Sequence, residues 1–159
     1  MNGRAILPLA CLLGAVLPTF AGPGAPGHTH SHGYSAGQPG DPNKPARVVH
    51  VAMREAGRKM TFDPDHIAVH KDEQIRFVID NDGIYNHEFV LATTAENRKH
   101  AEVMKKYPDM EHDDPNAKRV APYTRGEILW RFTKTGVFEF ACLIPGHREA
   151  GMTGKIDVK

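Results

Sequence analysis

Three side chains that can bind a soft metal ion stand close together near the C-terminus of this 159-residue chain. Cys142 offers a thiolate, His147 an imidazole and Met152 a thioether, and four residues separate each of them from the next. A second imidazole, His87, stands in a separate segment with the composition of a β-strand. Two imidazoles, a thiolate and a weakly bound thioether are the donor set of a type 1 copper centre. The residue types therefore predict a copper site.

The cysteine count supports this interpretation. Of the two cysteines, Cys11 lies in an apolar run, residues 5–17, that follows Arg4. A short basic start and an apolar stretch too short to span a bilayer predict a secretory signal peptide over residues 1–21. Its removal would leave Cys142 as the single thiol of a periplasmic protein without a membrane anchor. Such a thiol is buried and inert, paired with another molecule or bound to a metal, and the His and Met that follow it favour the metal.

Residues 22–45 are rich in Gly, Pro, Ser and His, and this composition predicts a flexible tail. Within it, His28, His30 and His32 stand at alternate positions. A short His-rich tract of this kind can chelate Cu(II), Zn(II) or Ni(II). It is also compatible with a solvated spacer that binds metal only adventitiously. Both interpretations stay open, so an additional copper ion at the tail is a hypothesis.

The elements that must position the donors begin after the tail, and we assign residues 46–159 to one domain. Ile75, Phe77 and Ile79 share one face at a period of two residues. Phe138, Phe140 and Cys142 also share one parity, so the thiol should face the same way as two core aromatics. Several short strands with turns between them are typical of an all-β sandwich. Strands are predicted over residues 47–53, 60–64, 67–69, 74–80, 87–93, 127–133, 136–142 and 152–158.

One segment between His87 and Cys142 departs from the β pattern. Residues 93–96 resemble a capping box, residues 96–107 are rich in helix formers, and an acidic loop follows over residues 109–114. The side chains of this insertion that could hold a second copper ion are His100, Met104, Met110 and His112. The alternative is a helix that covers one end of the sandwich, with Met104 as packing. We favour packing, because Met usually fills gaps in a core.

The chain from about Met60 to the C-terminus resembles the plastocyanin/azurin family of cupredoxins. The motifs that carry the resemblance are Phe62-Asp-Pro64, Ile75-Arg-Phe-Val78 with Asn81, Asn86-His87-Glu88-Phe89, Trp130-Arg-Phe132, Gly136-Val-Phe-Glu-Phe-Ala-Cys142, Pro145-Gly146-His147 and Gly151-Met152. The resemblance implies a Greek-key β-sandwich with a short helical insertion between the first His ligand and the Cys loop. It also implies that His87, Cys142 and His147 are the equatorial ligands of one type 1 copper and that Met152 is the axial ligand.

Two features depart from the family pattern. Many members have Asn directly after the first His ligand, where it ties the two ligand-bearing segments together, and this chain has Glu88 there. Asn81, Asn86 and Glu88 are all candidates for that role. The insertion of residues 93–114 is the second departure, and transfer of electrons does not require it.

The functional expectation combines these features. The formal net charge of +1 gives no electrostatic argument for nucleic acid. The site, the His-rich tail and the Met and His residues of the insertion make the chain similar to small periplasmic cupredoxins of copper tolerance, which bind copper, oxidise it or hand it on. The alternative is a dedicated one-electron carrier with a periplasmic redox protein as partner. We do not expect an enzyme, because oxidases and nitrite reductases with similar loops use further domains.

Overall fold

This computed structural model describes residues 33–108 and 114–159 of the chain. These residues contain ten strands and one helix, joined by turns and loops. The predicted signal peptide, His28, His30, His32, Met110 and His112 lie outside the described residues. The strands are β1 (Gln38–Pro39), β2 (Arg47–Ala56), β3 (Lys59–Asp63), β4 (His66–Val69), β5 (Gln74–Asn81), β6 (His87–Ala92), β7 (Ala117–Val120), β8 (Arg125–Arg131), β9 (Gly136–Ala141) and β10 (Thr153–Val158), and the helix is α1 (Thr94–Lys106).

The strands form two five-stranded sheets. One sheet has the order β1-β8-β5-β2-β3 and the other has the order β4-β10-β9-β6-β7. Both sheets are mixed, because β2 pairs in parallel with β5 and β10 pairs in parallel with β4. In the second sheet β6 and β9 are antiparallel neighbours, with Val90 opposite Ala141. This pairing brings the start of β6 and the end of β9 to the same end of the sandwich.

The core between the sheets is built on aromatic side chains. The rings of Phe89 and Phe140 stack with centroids 4.9 Å apart, and Phe62 meets Phe140 edge to face at 5.0 Å. Phe138, Phe140 and Cys142 all belong to this core, which confirms the predicted parity of β9. The predicted all-β sandwich with a short helix is also confirmed. Within the described residues, no helix combines the length and the apolar character that crossing a bilayer requires.

Part of the segment expected to be a flexible tail packs against the sandwich. The indole N–H of Trp130 donates to the carbonyl of Ala36 at 3.3 Å, and the Tyr34 ring meets the Trp130 ring edge to face. Strand β1 pairs with β8, with Pro39 opposite Trp130. Residues 33–45 therefore differ from the predicted tail of residues 22–45. The composition hid this because only two side chains of the segment, Tyr34 and Ala36, enter the core.

The helix follows the predicted capping box. The Thr93 hydroxyl accepts from the backbone N–H of Glu96 at 3.2 Å, and the Glu96 carboxylate accepts from the backbone N–H of Thr93 at 2.9 Å. Met104 is fully buried and packs with Val90, Ala141 and Leu143. The packing role that we favoured for Met104 is therefore confirmed, and α1 is a cover for one face of the β6–β9 sheet.

Candidate metal centre

The predicted donors come from two neighbouring strands and the loop after one of them. His87 is the first residue of β6, and Cys142 directly follows β9. The backbone N–H of Glu88 donates to Cys142 Sγ at 3.3 Å, so the two strand ends are tied at the thiol itself. His147 lies in the loop that connects β9 to β10. Pairing of β6 with β9 thus brings together residues that are far apart in the sequence.

Three of the four predicted residues share one small space. The ligand atoms of His87, Cys142 and His147 all lie within 4.8 Å of one another. The Nδ1 atoms of the two imidazoles are 3.1 Å apart, and Cys142 Sγ is 3.4 Å from His147 Nδ1. His87 and Cys142 are buried and His147 is half-buried. One ion at this point could therefore contact all three donors while one imidazole edge faces outward.

Two glycines let the loop turn back so that His147 reaches the thiol. Gly146 has φ of +89° and Gly151 has φ of +102°, values that side chains with a β-carbon rarely adopt. Backbone hydrogen bonds between residues close in sequence fix the turn, including one from the N–H of His147 to the carbonyl of Ile144 at 3.0 Å. The loop is therefore a closed turn held by its own backbone.

Met152, the fourth predicted residue, is hydrogen-bonded through its backbone to two of the other three. Its backbone N–H donates to the carbonyl of His147 and its carbonyl accepts from the N–H of Cys142, each at 3.1 Å. Its side chain is fully buried in the same core cluster as Cys142. The backbone thus places Met152 beside Cys142 and His147 at the end of the loop.

Burial controls the protonation of the donors. It raises the pKa of the Cys142 thiol to about 12, and it lowers the pKa of the His87 imidazole below its ordinary value. The pKa of His147 is lowered by burial and then by the neighbouring His87. Both imidazoles are therefore neutral, the form that binds metals. A thiol in this position becomes a thiolate when a cation binds to it.

Glu55, at the end of β2, is hydrogen-bonded to the other side of the His87 ring. Its Oε1 lies 2.9 Å from His87 Nε2 and accepts from the backbone N–H of Tyr85 at 3.0 Å. Burial alone would raise the pKa of this carboxyl, but hydrogen bonds from Tyr85, His87 and Ile84 together lower it. Glu55 is therefore an ionised acceptor at Nε2, on the opposite side of the His87 ring from the other donors. Nothing in the sequence around Glu55 indicated this contact.

Of the candidates for the tying role, Glu88 connects the two segments that carry the predicted donors, whereas Asn81 fixes the turn before His87. Glu88 is almost fully buried, and burial raises the pKa of its carboxyl, opposed by Arg119 and by a hydrogen bond from the backbone of Leu143. Its carboxylate lies 3.9 Å from the Arg119 guanidinium of β7, and its backbone N–H, which donates to Cys142 Sγ, makes the link to the Cys142 segment. Asn81 donates to the carbonyls of Tyr85 at 2.8 Å and Val120 at 3.0 Å, which fixes the turn before His87.

A buried polar network supports the far side of the loop. Arg148, next to His147, forms a two-pronged ion pair with Glu139, at 3.0 and 3.1 Å. The side-chain amide of Asn97, in α1, donates to the same Glu139 carboxylate at 3.1 Å. The insertion helix is therefore linked to the loop between β9 and β10 through β9. Sequence reasoning did not identify this network, because its three members are far apart in the chain.

The chemistry of this donor set fits copper. A soft thiolate and thioether suit Cu(I), while imidazole suits both Cu(I) and Cu(II). The arrangement has no carboxylate among the clustered donor atoms, unlike the oxygen-rich sites of Mg²⁺ or Ca²⁺. Among the described residues, this is the one group of three or more His, Cys, Asp and Glu side chains arranged closely enough to hold a metal. The residues present therefore fit the ion that their types predicted.

Comparison with known proteins settles the family. Residues 49–159 match the copper-binding proteins of the plastocyanin/azurin family. The chain belongs to this family. It is 47% identical, over the full length of both chains, to the copper-resistant cuproprotein CopI of Rubrivivax gelatinosus. It is 37% identical to the copper-resistant cuproprotein CopI of Vibrio cholerae, over 77% of this chain and 71% of that protein. Family membership confirms both the predicted resemblance and the prediction of copper as the bound metal.

A solved structure supports the fold independently of sequence. Auracyanin B superposes with a TM-score of 0.63 at 20% identity, covering 78% of this chain and 96% of that one. At such low identity the likeness concerns the fold alone. It agrees with the two-sheet sandwich described above.

Proposed function

We propose that His87, Cys142, His147 and Met152 bind one copper ion and that the protein serves copper tolerance in the periplasm. The observation that carries the proposal is the cluster of one buried thiol and two imidazoles, whose ligand atoms lie within 4.8 Å of one another. The full-length likeness to a copper-resistant cuproprotein supports the physiological part. Bound copper would supply one-electron chemistry, alternating between Cu(I) and Cu(II).

The side chains of the site would each contribute a distinct property. Cys142 is the charged donor, which becomes a thiolate as the metal binds. His87 and His147 are neutral donors that suit both oxidation states, and Met152 is a weak fourth donor. Backbone hydrogen bonds hold the loop before metal arrives, so little rearrangement is required of it. Burial of His87, Cys142 and Met152 keeps water away from the inner side of the site.

Deletion of the gene tests the physiological role. The deletion strain should become sensitive to copper, and the gene supplied in trans should restore growth. Complementation with Cys142→Ser should fail, whereas Glu127→Gln, a change at an exposed surface residue, should restore growth like the wild type. Unchanged growth of the deletion strain in copper, with and without oxygen, would contradict the proposal.

Export to the periplasm is the second part of the proposal, and residues 1–21 have the composition of a secretory signal peptide. The protein isolated from a periplasmic extract should have a mass that corresponds to a start near Gly22. Recovery of the uncleaved chain from the cytoplasm alone would contradict it.

Additional copper at the His-rich tract is a further part of the copper-tolerance proposal. The sharpest comparison is between the mature protein and a variant that lacks residues 22–32, because Tyr34 and Ala36 pack against Trp130 and should be kept. A copper ratio above one that falls to one in the variant would support copper handling by the tract. A ratio of one in both proteins would contradict it.

A dedicated electron carrier is the alternative function. The half-buried His147 favours it, because its ring is the part of the donor cluster nearest to solvent. Rapid electron exchange between the copper-loaded protein and a purified periplasmic haem protein would support this role. Slow reduction by every such partner would count against it.

We also propose that the protein is not an enzyme. The described residues hold one metal-donor cluster, whereas multicopper oxidases need further copper sites for substrate chemistry. A dye-oxidase assay of the copper-loaded monomer should therefore show no turnover. Sustained dye oxidation by the pure monomer would contradict this part of the proposal.

A further inference from the structure

We propose that Glu55 is a positioning residue of the copper centre, which orients His87 through its Nε2 and lowers the reduction potential of the bound metal. The inference rests on the proposed assignment of His87 as a copper ligand. It goes beyond that assignment because Glu55 belongs to β2, in the opposite sheet from His87.

The contact is short and buried, and a backbone hydrogen bond holds the carboxylate in place. Glu55 Oε1 is 2.9 Å from His87 Nε2, and the exposed fractions of the two side chains are 13% and 0%. The same oxygen accepts from the backbone N–H of Tyr85 at 3.0 Å. A β-carbon at position 83 would overlap this carboxylate, so Gly83 leaves the space that Glu55 occupies. These contacts hold the carboxylate in one place.

The contact determines which nitrogen of His87 is free. The 2.9 Å contact joins the Glu55 carboxylate to Nε2, and a carboxylate accepts hydrogen bonds, so the ring proton in this contact is on Nε2. The lone pair is then on Nδ1, the atom that lies 3.1 Å from His147 Nδ1. A metal-binding His commonly donates its other N–H to a carboxylate or a carbonyl, which fixes both the tautomer and the ring orientation. Glu55 therefore prepares His87 to bind through Nδ1.

The charge of Glu55 has a second effect. A carboxylate hydrogen-bonded to a ligand imidazole makes that imidazole a stronger donor. A negative charge this close also stabilises Cu(II) more than Cu(I), because the attraction grows with the charge of the ion. Because Glu55 is only 13% exposed, solvent and salt screen it weakly. Both effects favour the oxidised metal and lower the reduction potential.

Glu55→Gln separates this role from a purely structural one. Glutamine keeps the shape and an oxygen that can accept from Tyr85, but it removes the charge. The variant should bind one copper and keep the copper–thiolate absorption band. Its ratio of Cu(II) to Cu(I) affinity should fall about tenfold, which is a rise of about 59 mV for a one-electron couple. Glu127→Gln, the same change at an exposed residue, should leave the potential unaltered.

A measurement on the wild type keeps the test valid even if the variant folds poorly. In the Cu(I)-loaded wild type, nitrogen-15 NMR should show a slowly exchanging proton on His87 Nε2. A proton on Nδ1 instead, or a wild-type potential in Glu55→Gln, would overturn the inference. The proposed ligand assignment fails separately, if the wild type itself lacks the copper–thiolate band.

Discussion

Arg148 donates a hydrogen bond from each of its two terminal nitrogens to the carboxylate of Glu139, with Nη1–Oε1 and Nη2–Oε2 distances of 3.0 and 3.1 Å. The exposed fractions of the two side chains are only 17% and 9%. Asn97 donates to the same carboxylate from α1. Because Arg148 follows His147 directly, this pair connects the loop of the predicted donors to β9 and to the insertion helix.

Replacement of Arg148 by Met should destabilise the protein. The change leaves the Glu139 carboxylate without its charged partner, and breaking a buried pair in this way costs about 3 kcal/mol. Urea unfolding of the copper-free protein measures the loss. Arg76→Met is the matched control, because the Arg76–Glu127 pair is exposed and should contribute at most about 1 kcal/mol. Equal losses in the two variants would show that the Arg148 pair has no special role.

Met104→Ala tests the role of the helix as a cover. Met104 is fully buried between α1 and the β6–β9 sheet. Truncation should lower the free energy of unfolding by about 2–5 kcal/mol, because it leaves a cavity. The number of coppers bound per chain should stay the same. A variant with wild-type stability and one copper fewer would instead make Met104 a ligand.

Met152→Leu tests the axial position. Leu conserves volume, so the buried site should still fold and still take up copper. Loss of the thioether should raise the reduction potential, on the order of 59 mV for a tenfold change in relative affinity, since the axial donor tunes the potential. A redox titration followed by visible absorbance gives the value. An unaltered potential would argue that the Met152 sulfur does not reach the metal.

Acid stability should depend on Glu73, remote from the donors in the sequence. Hydrogen bonding from Arg47 is the main cause that lowers the pKa of the Glu73 carboxyl, and the N–H of His70 adds to it. A carboxyl whose pKa is lower in the folded protein stabilises the fold at pH values above its pKa in the unfolded chain, about 4.3. This contribution is lost as the pH falls through the pKa of the folded state. Glu73→Gln should therefore be less stable than the wild type at neutral pH, and the difference should vanish in acid. A difference that persists at low pH would contradict this.

Local patterns predicted most of the fold. The alternation of Ile75, Phe77 and Ile79 predicted β5, and the shared parity of Phe138, Phe140 and Cys142 predicted which way the thiol faces. The capping box at Thr93 predicted the start of the helix within two residues. These features succeed because the information lies within a few neighbouring residues.

The features that sequence analysis missed depend on distant contacts. Strand β7 is four residues long with three polar or small members, so its pairing with β6 has no local signal. Strand β1 has two residues and exists only because it pairs with β8. Glu55 reads as an ordinary surface glutamate of a hairpin, and only the packing of the two sheets brings it to His87. Side chains around the donors are therefore harder to predict than the donors themselves.

Copper-edge anomalous diffraction from crystals of the copper-loaded protein tests the central claim most directly. We expect one strong anomalous peak within bonding distance of His87 Nδ1, His147 Nδ1 and Cys142 Sγ, with the Met152 sulfur as a more distant neighbour. A bare Cys142 sulfur, with the copper bound elsewhere on the chain, would contradict the account.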